Sequence, residues 1–208
     1  MNSAYDMLAK YNVIFAESGI ASDANDAQRL ADSIGYTVAM KISTDQPVHK
    51  TDLGLVKLNL GPDQIMSAYS EITKKAAEHG ITFDGVVVQQ TAKPDLEMIV
   101  GIKQDSQFGP VLLCGLGGIY TEIFHDTSIR LCPIEESDAK EMLAELKTSK
   151  IFESRGKRYN TGAFIDLLMK VSKIATTENI RELDLNPVFI YPENEKTGYM
   201  VADVRIVR

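Results

Sequence analysis

Apolar residues recur along this chain with two different periods, and the switches between those periods mark out its elements. Residues 23–34 (DANDAQRLADSI) place Ala27, Leu30, Ala31 and Ile34 on one helical face, with Gly35 as the stop. Residues 62–79 open on Pro62 at a first helical position, carry Ile65, Met66, Tyr69, Ile72 and Ala76, and end at Gly80. The same spacing predicts helices at 136–147 (Ala139, Met142, Leu143, Leu146) and 162–176 (Phe164, Leu167, Leu168, Val171, Ile174, Ala175), and a shorter one near 3–11. Strands are expected between them, at 37–42, 55–60, 83–90, 96–103, 110–115, 119–124, 183–191 and 199–207. Asp105 to Gly109 reads as the turn of a hairpin.

Helices and strands mix without a strict βαβ rhythm, and the strands over 83–131 follow one another as hairpins. That favours an α+β fold over a doubly wound parallel sheet. The segment 91–95 (TAKPD) is the most suggestive boundary. It reads equally as a hinge between two lobes and as an ordinary hairpin turn.

Composition narrows the classes. The 208 residues are 44% apolar, enough for one large domain or two small lobes. A net charge of -7 argues against nonspecific nucleic-acid binding, which depends on clustered Lys and Arg. The longest apolar runs, such as PVLLCGL at 110–116, fall far short of the roughly 20 residues of a membrane helix. No secretory signal is visible at the N-terminus, so a cytoplasmic protein is expected. Cys114 and Cys132, isolated in apolar stretches, read as small reduced core residues.

Four features carry candidate chemistry. Lys41 sits in the apolar strand TVAMKIS, where a buried ammonium needs an anion, either an internal acid or a ligand phosphate. The polar loop DQPVHKTDLGLVK (45–57) holds His49, and a neutral imidazole is a competent phosphoryl acceptor near neutral pH. A single loop histidine is more often simply solvated. The run GPVLLCGLGG (109–118) ends in Gly117 and Gly118, whose exposed N–H groups permit close approach of a phosphate, or which merely make a turn. In the C-terminal strands Glu182, Asp184 and Asn186 share a face, and Asp203 interrupts an apolar run with Arg205 two residues on. Hard oxygen donors of this kind suit Mg²⁺, although a strand with a solvated face gives the same pattern. His79 and His125 suggest nothing beyond a helix end and a turn.

Taken in order, the strand lysine, the HKTD loop, VVVQQ, a Glu seven residues after Gln90, QFGPVLLCGLGGIYTE, an Arg after DTS, ELDLNP and a last Asp strand resemble a known family. It is the ATP-grasp (β) subunit or domain of nucleoside-diphosphate-forming acyl-CoA synthetases, including ADP-forming acetate–CoA ligases, in the succinyl-CoA synthetase superfamily. The resemblance runs over about residues 4–208. It implies an ATP-grasp fold of two lobes clamping a nucleotide, with subdomains at 1–90 and 91–208. It also implies roles: Lys41 on nucleotide phosphates, Gln89 and Gln90 in the hinge strand beside adenine, Glu97 near the ribose, and Gly117 and Gly118 lining the phosphoryl site. Asn186 and Asp203, with Asp184 beside them, match the Mg²⁺ ligands. Arg130 matches a residue steadying the transferred phosphate, and His49 a second phosphoryl carrier between phosphohistidine and ADP. ATP/ADP and Mg²⁺ are the implied ligands.

Three departures stand out: Leu55 replaces the second glycine of the usual HKTDVGG loop, QQT replaces a hinge ending in Met, and KPDL replaces a glycine-rich turn before Glu97. The family reaction also needs a CoA-binding Rossmann domain and a ligase domain with the primary phosphohistidine. Neither is expected in 208 residues. The implied partner is therefore a CoA-binding/ligase α subunit or domain in a hetero-oligomer. The alternative is a free-standing or regulatory nucleotide-binding module without synthetase activity of its own.

Overall fold

The computed structural model describes residues 4–44, 46, 48–118, 126–154 and 156–208. By their internal contacts the residues divide into two units, Ala16–Thr91 and Met1–Phe15 with Ala92–Arg208. This differs from a division at 1–90 and 91–208 in one respect, the N-terminal helix. In α1 (Ala4–Lys10) Met7 and Leu8 are buried in the core of the second unit. Lys10 and the Tyr11 hydroxyl both donate to Glu178 Oε1, at 2.7 and 2.8 Å.

The unit Ala16–Thr91 is a four-stranded antiparallel sheet with two helices. It runs β1 (Ser18–Ala21), α2 (Ala24–Ile34), β2 (Val38–Ser43), β3 (Val56–Leu60), α3 (Ile65–Glu78) and β4 (Gly85–Gln90), in strand order β1-β4-β2-β3. α2 starts where Asp23 Oδ1 accepts the Asp26 N–H at 2.8 Å, satisfying one of the helix's orphan donors. The period of two then sorts the strands. Val38, Met40, Ile42, Val86 and Val88 are buried with Ala27, Ala31, Ile65, Ile72 and Ala76 of the helices. Ala39, Lys41, Val87 and Gln89 alternate with them onto the other face.

The second unit is built on β5 (Leu96–Asp105), β6 (Gly109–Leu116), β7 (Thr127–Leu131), α4 (Glu136–Glu145), β8 (Glu153–Ser154), β9 (Lys157–Arg158), α5 (Thr161–Thr177), β10 (Glu182–Ile190), β11 (Tyr199–Val201) and β12 (Val204–Val207). Its main sheet has the order β11-β10-β5-β6-β7, with β12 also on β10. α5 buries Phe164, Leu167, Leu168, Val171 and Ile174 against Met98, Val100, Leu112, Leu183 and Leu185 of the sheet. The β5–β6 turn is closed by Asp105 Oδ1, which accepts from the N–H groups of Gln107 and Phe108, and by Gly109 at φ +81°.

The mixture of helices and antiparallel strands is α+β. The segment 91–95 is not a hairpin turn, because β4 and β5 belong to different sheets. The strand expected at 199–207 breaks at Ala202 and Asp203 into β11 and β12, both paired with β10. The strand expected at 119–124 and the turn at His125 lie outside the described residues. Among the described residues no helix is long and apolar enough to cross a membrane.

Candidate functional site

In the second unit, the residues of β5, β6 and β10 that alternate away from the helices form rows across the open face of the sheet. Asp184 lies opposite Gly101 on one side and Arg205 on the other, and Gly101 lies opposite Leu113. One row further along, Glu182, Lys103 and Val111 are aligned. These two rows line a cavity of about 470 Å³, floored by Gly101, Val111 and Leu113 and edged by Lys103, Asp184 and Arg205. Gly101 carries a signal already present in the sequence, since an isolated glycine inside a strand marks a bulge or a close approach. Here it leaves the floor of the cavity open.

Asp184, Asn186 and Asp203 come together for a local reason. The register of β10 against β5 shifts between Leu185 and Val188, so the chain bulges at Asn186–Pro187. The break between β11 and β12 lies against that bulge: the Asn186 N–H donates to Asp203 O at 3.2 Å, and the Ala202 N–H to Pro187 O at 2.9 Å. Asp203 is therefore an exposed residue at a strand break rather than an acid within a continuous apolar strand. Burial pushes the Asp184 carboxyl above its ordinary range; Arg205 opposes this and the negative charge of Asp203 adds to it. Two carboxylates in mutual repulsion next to an amide oxygen fit a hard divalent cation such as Mg²⁺, which takes one or two protein carboxylates and completes its shell with phosphate oxygens and water. Among the described residues no group of three or more His, Cys, Asp or Glu is placed to hold a metal.

Further along the same face, Glu97 meets the glycine run. The Gly117 N–H donates to Glu97 O at 2.7 Å. A Cβ on Gly117 would lie 2.6 Å from Glu97 Cγ, and Gly118 adopts φ +71° with its Cβ position 3.4 Å from Glu97 Oε2. Any side chain at 117 would displace the glutamate, and the backbone at 118 favours glycine.

Arg130 does not join this group. In β7 the alternation turns Ser128 and Arg130 to the helix-covered face and leaves Ile129 and Leu131 exposed. The Arg130 guanidinium donates to Glu145 at the end of α4, with Nη1 2.9 Å from Oε2, and lies 3.6 Å from Glu141. Arg130 is thus a bracket between α4 and β7, and a role in steadying a transferred phosphate does not fit its position.

The other half is in the first unit. Lys41 is opposite Val87, and Gln89 opposite Ala39, so the two side chains alternate onto the same face of the sheet. Gln90 has the opposite parity; its Oε1 accepts the Glu17 N–H at 3.4 Å and its own N–H donates to Glu17 O at 2.8 Å. His49 is exposed on a turn after β2, where the Leu53 N–H donates to His49 O at 3.3 Å and the Leu55 N–H to Lys50 O at 2.8 Å. Leu55 is fully buried, and Val48 and Leu53 pack against the same core. The turn is anchored by apolar residues on both sides of His49.

Cys114 is buried and its thiol is pushed up to about 12 by that burial, while Cys132 is half-buried; both are free, as small core residues should be.

A family model described as "ATP-grasp domain" matches residues 2–207. The chain is 37% identical to the β subunit of acetate–CoA ligase [ADP-forming] II of Pyrococcus furiosus, over 98% of this chain and 89% of that subunit. It is 38% identical to acetate–CoA ligase [ADP-forming] I of Archaeoglobus fulgidus, over 97% of this chain but 30% of that longer protein. Among solved structures it is similar to the dinucleotide-forming acetyl-coenzyme A synthetase 1 of Ca. Korarchaeum cryptofilum, solved with coenzyme A, Ca-AMPCP and HgCl⁺. The TM-score is 0.90 at 35% identity, over 98% of this chain and 90% of that one. A second structure of that protein holds coenzyme A and Mg-AMPPCP and has its phosphohistidine segment pointing towards the nucleotide binding site. Its TM-score is 0.84 at 35% identity, over 98% and 88% of the two chains.

Proposed function

The chain belongs to the ATP-grasp family, in the group that includes the β subunits of ADP-forming acetate–CoA ligases, and we propose that it is the nucleotide-handling component of an ADP-forming acid–CoA ligase. The observation that carries this reading is the second unit's open sheet face. It gathers Glu97, Gly117, Gly118, Asp184, Asn186 and Asp203 around a bulge and a strand break.

Each half has a task in this reading. Lys41 neutralises phosphate charge on the first unit, and Gln89 and the Gln90 backbone lie towards the base. Glu97 meets the ribose. Asp184, Asn186 and Asp203 hold Mg²⁺, which supplies charge neutralisation to the phosphates. The N–H groups of Gly117 and Gly118 face the transferred group. His49 carries the phosphoryl between a CoA-binding partner and ADP: the N–P bond breaks as the terminal oxygen of ADP forms its bond to phosphorus, and the imidazole leaves. Transfer of this kind depends mainly on positioning and charge neutralisation. The acid, its CoA thioester and the primary phosphohistidine then belong to the partner subunit or domain.

A thermal-shift titration tests the reading. Mg-ADP at 100 times its Kd should stabilise the chain by about 2.7 kcal/mol. Asp203→Asn should remove the Mg²⁺-dependent part of the shift and leave the metal-free part. A midpoint that does not move up to millimolar Mg-ADP would overturn the proposal.

A further inference from the structure

Among the described residues, Thr91 Oγ1 is a buried side-chain oxygen without a hydrogen-bond partner. Its backbone is well placed: the Thr91 N–H donates to Thr37 O at 3.0 Å, carrying the β2–β4 ladder one residue beyond Gln90. Alternation then puts the Thr91 side chain on the face of Gln89 and Lys41, opposite to Gln90. A hydroxyl buried without a partner costs stability that a valine of nearly the same shape avoids. A bound molecule that offers it a polar atom recovers that cost.

We propose that Thr91 is a specificity-determining residue that hydrogen-bonds the polar group at C6 of a bound purine nucleotide. The inference rests on the nucleotide-binding reading above and adds a base-reading contact to it. Lys41 lies opposite Val87, four residues back along β4, which is about 13 Å of extended strand. With the phosphates at Lys41, the part of an extended purine nucleotide that reaches Thr91 is the edge farthest from the phosphates, which is the N1–C6 edge. A hydroxyl both donates and accepts, so it pairs with a 6-amino or a 6-oxo group and discriminates against a base with hydrogen at C6. The chain has a polar threonine at this place, in QQT, where an apolar residue offers no such pairing.

The test compares Mg-ADP with the Mg complex of purine riboside 5′-diphosphate, which has hydrogen at C6, on the 208-residue chain by calorimetric titration. The wild type should favour ADP by about tenfold, the worth of one net hydrogen bond. Thr91→Val should bind the two nucleotides within about twofold of each other, and its ligand-free Tm should not fall. Thr91→Ser should keep the preference and Thr91→Ala should lose it, so the result does not hang on the valine variant folding. A preference for ADP that survives in Thr91→Val and Thr91→Ala, or a ligand-free Tm lowered in Thr91→Val, overturns the inference while the nucleotide site stands. Failure of the wild type to bind either nucleotide overturns both readings together.

Discussion

Arg130 and Glu145 show how a single contact decides what a charged residue is for. The Glu145 carboxyl is held down to about 2, first by the hydrogen bond from Arg130 and then by that from Ser128, against an ordinary value of 4.5. A carboxylate depressed in the folded state stabilises the fold above its unfolded pKa, and that contribution is lost as pH falls from 4.5 through about 2. Glu145→Gln should therefore flatten the loss of stability across that window, read as urea midpoints between pH 5 and 2. An acid limb parallel to wild type would show that the pair contributes nothing. Arg130→Ala should lower the urea midpoint yet leave the affinity for Mg-ADP within about twofold, because the guanidinium faces α4 rather than the acidic face. Asp184 behaves in the opposite sense. Its carboxyl is raised by burial and by Asp203, so protons compete with the cation from a higher pH than at an ordinary aspartate. The Mg²⁺-dependent part of the ADP shift should fall away at low pH, and Asp184→Asn should remove that pH dependence.

Among the elements, the turn that carries His49 is the place where packing and chemistry meet. Leu55 is fully buried and hydrogen-bonded through its N–H to Lys50, with Val48 and Leu53 on the same core. Leu55→Ala should cost about 2–5 kcal/mol as a cavity in the core of this unit. It should also speed hydrogen exchange over residues 48–54 more than over β2 or β3. Unchanged exchange in that turn would mean that Leu55 does not anchor it. The helices here were legible from spacing because Gly35, Pro62 and Gly80 punctuate runs of period 3.6. The strands were less so. β1 has four residues and a glycine, too short for alternation to be read. β7 misleads outright, since Ser128 and Arg130 turn inward to the acids of α4 while Ile129 and Leu131 face out. Polar-inward parity depends on Glu145 and Glu141, which are distant in sequence, so the side on which Arg130 lies could not be read locally. The meeting of Asp203 with Asn186 was masked in a similar way, because the β11–β12 break falls in a run that reads as one strand.

For the whole molecule, the question is which steps of an acid–CoA ligase reaction this chain performs by itself. It matches nearly all of a separate β subunit but 30% of a single-chain ligase. Its acidic sheet face, glycine run and strand lysine are means of neutralising phosphates, and none of them is placed to bind a thioester. The 208-residue chain with acetate, coenzyme A and Mg-ATP should therefore yield no acetyl-CoA, while a CoA-binding partner carrying its own phosphohistidine should restore synthesis. Acetyl-CoA formed by the chain alone would refute this division of labour. His49 divides the outcomes further. It is exposed, and its backbone carbonyl, not its ring, is tied into the turn. His49→Ala should thus leave the fold and Mg-ADP binding nearly as they are, yet block passage of phosphoryl from the phosphorylated partner to ADP. The partner should then accumulate its phosphohistidine, visible as an acid-labile ³¹P signal, in the mutant complex and not in the wild type. If the mutant complex turns over at the wild-type rate, phosphoryl reaches ADP from the partner directly, and the HKTD turn is a surface loop with no part in the relay.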